Sequence, residues 1–249
     1  MEKKKTKRKI NLIALIVIIL ALYLVFSFVY YVMTLPIKNI YIFGNTYVSD
    51  VEIIETANIK NYPSLIKISR RKVKNKLLKN ELIDEVKISK KLNGTIKISI
   101  KESKPLFYNR SNNTVVLLNG KTISGKNNIN FKIPSLINIV PNDIYKKLIE
   151  AFSKVNYDVI TQISEIEYDP DIINDRTIDP ERFYLRMVDG NSIYTNPVNI
   201  KRLNNYFGVY DSIPDGVKGT LYFDSNSDNN MFKMYGSKEA SEIGANNEG

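Results

Sequence analysis

The side chains in this 249-residue chain whose spacing could do chemistry are carboxylate pairs: Glu165/Glu167, Asp169/Asp171 and Asp175/Asp179. Two carboxylates about 5–10 Å apart in a cleft are what glycan hydrolysis requires. Glu165 and Glu167 flank Ile166, so a strand places both on one face, in the simple alternation of an exposed polar surface. Asp169-Pro170-Asp171 and Asp179-Pro180-Glu181 have turn chemistry and lack the Gly-punctuated spacing of a calcium loop. The chain has no His and no Cys. That removes imidazole base catalysis, a Ser-His-Asp triad, thiolate chemistry, disulfides and most zinc sites. These residues point away from an enzyme, and no cofactor or metal is expected.

The element that positions everything else is residues 10–33, an almost unbroken apolar run. A helix needs about 20 such residues to cross the hydrocarbon core of a membrane. Lys3, Lys4, Lys5, Lys7, Arg8 and Lys9 precede it against Glu2 alone. By the positive-inside rule, residues 1–9 are a cytoplasmic basic segment and everything beyond the helix is outside. Tyr30 and Tyr31 sit at the outer end, where amphipathic rings favour the headgroup level. A cleaved signal peptide would have a shorter core and a small-x-small exit, whereas this run leaves through Tyr30-Tyr31-Val32-Met33. A buried core helix would show a polar face. Within the run, Asn11, Tyr23 and Ser27 could pair with a second helix, although Asn11 lies at the inner edge.

Charge is uneven. The net +10 divides into +5 for residues 1–9, +8 for residues 36–104 and −3 for residues 105–249. A basic surface outside the cell has anionic headgroups or wall polymers as its counter-charges, and no nucleic acid.

Residues 37–43 are β-branched and aromatic and read as a strand ended by Gly44-Asn45. Ser49 and Glu52 form a capping box with Val48 and Ile53 as its staple, opening a helix to about Asn58. A second helix starts at Ser69 with Val73, Leu77 and Leu78 inward. Residues 85–92 and 95–101 alternate as strands around Asn93-Gly94, a hairpin signal. The order strand, helix, helix, strand, strand follows.

Those residues, Ile40-x-Ile42-x-Gly44-Asn45-x-x-Val48-Ser49, Val86-x-Ile88 and Ile96-x-Ile98-x-Ile100-x-Glu102-x-x-Pro105, resemble the FtsQ/DivIB family of bacterial cell-division proteins. Asn93 stands where the family often has Pro, and Asn119 before Gly120 where it has Asp. The resemblance implies an α+β fold: a single transmembrane helix, a POTRA-like β-α-α-β-β domain over residues 36–105, and a mixed α/β, β-rich distal domain over 106–224. In the distal part, 115–118 with 121–124, 163–168, 183–188 and 192–194 read as strands, and 142–155 and 197–209 as helices. Val217–Asp224 reads as a last strand, and residues 225–249, rich in Ser, Asn and Gly, as a disordered tail.

The family likeness also implies a partner site. Its C-terminal strand takes up a strand from small bitopic proteins, and here Leu221, Tyr222, Phe223, Asp224 and Ser225 match that region. The physics is β-augmentation on an open edge, with Leu221 and Phe223 facing the core in either case. Arg70, Arg71 and Lys74, on the basic second helix, could meet anionic headgroups, or form a solvated face. The function implied is a non-enzymatic divisome scaffold at the septum. It would recruit bitopic proteins resembling FtsL and DivIC/FtsB, and septal wall synthesis enzymes. Two alternatives remain from other classes: a POTRA-bearing binding module outside division, and a carboxylate-dependent wall-glycan hydrolase.

Overall fold

An apolar run without a polar face becomes one continuous helix, α1 (Leu12–Thr34), in the computed structural model of the chain. At about 1.5 Å per residue it is long enough to cross a membrane, and its composition suits it to do so. Asn11 caps it, its side chain accepting from the Ile13 N–H at 3.2 Å, so its amide is engaged locally. The structure describes residues 11–125, 131–224, 230–237 and 241–243, and the basic segment 1–9 lies outside them. The chain divides into two compact units, Met1–Glu102 and Ser103–Gly249.

After α1, the first unit is β1 (Asn39–Phe43), α2 (Asp50–Thr56), α3 (Arg70–Leu77), β2 (Ile83–Lys91) and β3 (Thr95–Glu102). The sheet order is β1-β3-β2, with β1 parallel and β2 antiparallel to β3. Alternation sets its inner face: Val86, Ile96, Ile98 and Ile100 are buried against Ile53, Val73 and Leu77 of the helices. Ser49 accepts from the Glu52 N–H at 3.2 Å, the expected cap. Glu52 itself accepts from the Asn80 side chain at 2.9 Å, tying α2 to the segment after α3.

One carboxylate organises the turn after β1. Glu102, at the end of β3, accepts from the backbone N–H groups of Thr46, Tyr47 and Val48, each at 2.8 Å. Gly44 makes that approach possible: a Cβ there would lie 2.2 Å from the Ile100 carbonyl oxygen, and its φ is +81°. The Gly44-Asn45 and Glu102 positions of the sequence pattern are thus two halves of one turn.

The second unit is built on a ten-stranded sheet. Its first strands are β4 (Pro105–Asn109), β5 (Thr114–Leu117), β6 (Thr122–Ser124) and β7 (Ser135–Leu136). Then come α4 (Asn142–Phe152), α5 (Tyr157–Ile160), β8 (Ile163–Tyr168), and a separate hairpin of β9 (Asp171–Ile173) and β10 (Arg176–Asp179). β11 (Phe183–Met187), β12 (Ser192–Thr195), a 3₁₀ turn over Ile200–Asn205, α6 (Tyr206–Tyr210) and β13 (Gly219–Tyr222) follow. β14 (Asn230–Met234) and β15 (Ser241–Ile243) complete it in the order β15-β14-β13-β12-β11-β8-β7-β4-β5-β6. The helices cover one face, where Leu148, Phe152, Leu203 and Tyr206 pack on Phe107, Ile166, Leu185 and Leu221.

Two expectations change. Residues 197–209 are not one α-helix: after a turn capped by the Asn196 side chain, which accepts from the Asn199 N–H at 3.0 Å, the chain runs as a 3₁₀ turn over Ile200–Asn205 and becomes α-helical only at Tyr206–Tyr210. The tail is not wholly without structure. β14 pairs antiparallel with β13 and with β15, and Phe232 is 5% exposed against the core, so backbone pairing on both sides and one buried ring mark this part of the tail as ordered. Residues 225–229, 238–240 and 244–249 lie outside the described residues.

Candidate functional site

The strand expected to offer an open edge has none. β13 runs parallel to β12 on one side and antiparallel to β14 on the other, so its backbone groups are used within the chain. Gly219 fits that closure: a Cβ there would lie 2.3 Å from the Lys233 carbonyl oxygen of β14. The correction follows from the missed β14, since an edge is read from what comes after it. Leu221 and Phe223 are both 0% exposed and belong to the core, as the alternation required. Ser225 lies outside the described residues.

Tyr222 and Asp224 remain available, and the structure gives them a setting. On the face turned away from the helices, Glu167, Tyr184, Tyr194, Tyr222 and Met231 stand in register across β8, β11, β12, β13 and β14. The three tyrosine rings form a row with centroids 4.9 and 5.5 Å apart. Such cross-strand aromatic neighbours stabilise each other while leaving ring edges and hydroxyls for a partner. The Arg182 guanidinium lies 4.4 Å over the Tyr194 ring and pairs with Asp171 at 3.3 Å. Burial, followed by the nearby Asp169 carboxylate, pushes the Tyr194 hydroxyl up to about 12, so it stays a donor at any physiological pH.

Asp224 closes the row's end. Its carbonyl accepts from the Asn196 and Asn199 side chains at 3.4 and 3.3 Å. Burial holds its carboxyl above the usual carboxylate range, against the pull of Arg182. A half-buried carboxylate held there is suited to a donor or cation from another chain.

The carboxylate pair that could have served hydrolysis is clamped. Arg186 donates to Glu165 at 3.0 Å and to Glu167 at 2.9 Å, and Arg110 reaches Glu165 at 3.3 Å. Burial works to lower the Arg186 guanidinium, but Glu167 and Glu165 outweigh it and hold it above its ordinary value. Both carboxylates sit on an open sheet face with cations on them, the opposite of a general acid in a dry cleft. Asp171 and Asp179 are not turn residues but face each other across the β9–β10 hairpin, Asp169 and Asp171 meet Arg182, and Asp175 lies in the hairpin turn with a φ of +61°.

Arg70, Arg71 and Lys74 all lie on α3 with exposed side chains. Ser69 caps that helix, accepting from the Lys72 N–H at 3.4 Å. Lys90, near the end of β2, does more than the strand alternation announces. It donates to the carbonyls of Leu65 and Ile68, each at 2.8 Å, and so pins the segment leading into α3. Burial, with Arg70 nearby, lowers its ammonium below the ordinary value. The tyrosine row was also missed. The sequence places each Tyr on an outward position, but only the register joins strands so far apart in the chain.

Comparison with known proteins agrees with this architecture. Residues 35–103 match the family model for the POTRA domain, FtsQ-type. The chain is 26% identical over 222 residues to cell division protein DivIB of Bacillus anthracis, covering 87% of this chain and 82% of the relative. It is 30% identical over 174 residues to DivIB of Staphylococcus pseudintermedius, covering 69% of this chain and 57% of the relative. Among solved structures, the major extracytoplasmic domain of DivIB from Geobacillus stearothermophilus aligns at 18% identity and a TM-score of 0.33, over 44% of this chain and 89% of that one. At that score the structural likeness carries no weight. The chain thus carries a POTRA domain of the FtsQ type and is similar over most of its length to the DivIB cell division proteins, the resemblance its own residues pointed to.

Proposed function

We propose that this chain is a non-enzymatic cell-division protein: a single-pass membrane scaffold that gathers other division proteins for septal wall synthesis. The observation that carries it is a membrane-length helix directly followed by an FtsQ-type POTRA domain, on a chain whose relatives are named DivIB over most of its length. The basic residues before α1 favour a cytoplasmic N-terminus, with both units outside. The partners are bitopic division proteins resembling FtsL and DivIC/FtsB, together with septal wall synthesis enzymes. Tyr222 and Asp224 touch the partner, and Leu221 and Phe223 hold them from the core side.

The tyrosine row supports recognition of a protein. It offers flat rings, hydroxyls and one half-buried carboxylate, and tyrosine is over-represented where interfaces bind tightly. The test is co-purification. The full chain, tagged at its N-terminus, is drawn from membranes of dividing host cells beside Tyr222→Ala and Asp224→Ala variants. The reading expects the bitopic division proteins to come with the parent chain and to fall at least tenfold with either variant. Equal recovery with all three places the partner surface elsewhere. Absence of division proteins from the parent chain's complex favours a POTRA module serving another envelope process.

A further inference from the structure

We infer that the α1-proximal end of the first unit rests on the bilayer that α1 crosses, with Tyr62, Ile66 and Leu92 entering the headgroup layer and Lys67, Arg70 and Lys91 meeting anionic headgroups. This rests on α1 spanning the membrane, and it adds a surface that the POTRA topology does not imply.

The chain path fixes which end is near. The Ser64 hydroxyl donates to the carbonyl of Met33, inside the last turn of α1, at 2.5 Å. The Leu65 N–H donates to the Leu35 carbonyl at 2.8 Å, and the Ile37 N–H to Pro63 at 3.1 Å. The Lys38 N–H donates to the carbonyl of Gly94 in the β2–β3 turn at 2.7 Å. Four residues extend at most about 14 Å, so the turn cannot lie far beyond the helix end at Thr34. The loop Tyr62–Ile66 and the turn at Leu92 are therefore held at the level where an apolar helix leaves the hydrocarbon.

What those segments expose suits that level. Leu92 is 76% exposed, Tyr62 55% and Ile66 38%. Tyrosine favours the headgroup layer, and lysine and arginine can lay their stems along it while their charges reach the anions. Charge is segregated along the same axis. Residues 36–39, 59–71 and 89–95 carry seven Lys and Arg and no Asp or Glu. Asp50, Glu52, Glu81, Asp84, Glu85 and Glu102 sit at the other end, where α2 begins, β2 begins and β3 stops. The remaining acid of the unit's soluble part, Glu55, is paired with Lys60 at 2.7 Å. An end that is basic, apolar at its tips and joined to a membrane helix fits a lipid surface better than a polar partner.

The chain has no Cys, so single cysteines label cleanly. The full chain would be reconstituted in phosphatidylcholine vesicles containing a minority of phosphatidylglycerol. An environment-sensitive fluorophore is placed at Leu92→Cys, Ile66→Cys or Val51→Cys, and a nitroxide is carried near the lipid headgroup. Val51 is 64% exposed in the first turn of α2, at the acidic end. The proposal expects blue-shifted emission and at least threefold stronger quenching at 66 and 92 than at 51. Quenching at 66 and 92 no greater than at 51 overturns it, including the case in which a protein partner covers this end. The charge-reversed Lys67→Glu, Lys91→Glu chain should lose quenching at 92, and no loss overturns the electrostatic half. A probe at Leu22→Cys reports on α1 separately: without quenching by a deep-chain nitroxide, it is the membrane-spanning reading that has failed.

Discussion

The two units solve the same problem, a sheet with one face buried, and leave very different faces to the outside. In the first unit the outward face of β1–β3 presents Tyr41 and Phe43 beside Lys97 and Lys101, and all but one of the acids after α1 are gathered at one end. In the second, the outward face presents a tyrosine row ending at Asp224, and Asp171, Glu165 and Glu167 beside it are paired with Arg182 and Arg186 inside the chain. A polarised cationic surface acts at range and answers to salt, whereas an aromatic face whose flanking carboxylates are paired acts at contact. The pair fits a protein that meets lipid with one unit and protein with the other.

The contrast in packing is equally testable. Unit-specific unfolding of the full chain in micelles, followed by urea titration with a probe in each unit, separates the cores. Phe223→Ala removes a fully buried ring and should cost the second unit about 3–5 kcal/mol, leaving the first unit's midpoint in place. A parallel shift in both would mean that they unfold as one. Glu102→Ala works in the opposite unit. It takes the acceptor from three backbone N–H groups and should cost about 1.5–3 kcal/mol there. If the first unit's midpoint does not move, the turn at Gly44–Val48 is held by something else. Ser49→Ala, which removes the α2 cap, should cost the same unit about 1 kcal/mol, read from the same titration.

The smallest effect is a pH effect confined to the second unit. Burial raises the Asp224 carboxyl in the folded state. A raised acid favours the folded state below its ordinary value of 3.8, and that contribution is lost as pH rises through the folded value. Asp224→Asn should therefore raise the second unit's melting temperature slightly at pH 7 and leave it unchanged near pH 3. A lowered midpoint at pH 7 would show that the carboxylate is held by its neighbours more strongly than burial opposes it.

How far the residues alone reached differs between the units for a physical reason. In the first, the sheet has two pairings, β2 with its neighbour β3 and β1 with β3, and the caps, staples and alternation are local signals. Ser49, Ser69 and the Asn93-Gly94 turn could each be read without the rest. In the second, β12 lies parallel to β13, and β7 links β4 to β8, pairings that no local pattern announces. β7 is two residues long, and β14 has one buried ring to mark it. The candidate site suffered accordingly. Leu221 and Phe223 were placed in the core by alternation, but whether β13 was an edge depended on a strand hidden in a polar tail. The Arg186 clamp on Glu165 and Glu167 joins residues about twenty apart, visible only once β8 and β11 are in register.

The most direct test of the division role is where the protein goes. A fluorescent fusion at the N-terminus of the full chain, imaged in dividing cells of the native host, should give a band at the constriction that appears with the septum and disappears after separation. An even outline around every cell, with no enrichment at the septum, would contradict the account.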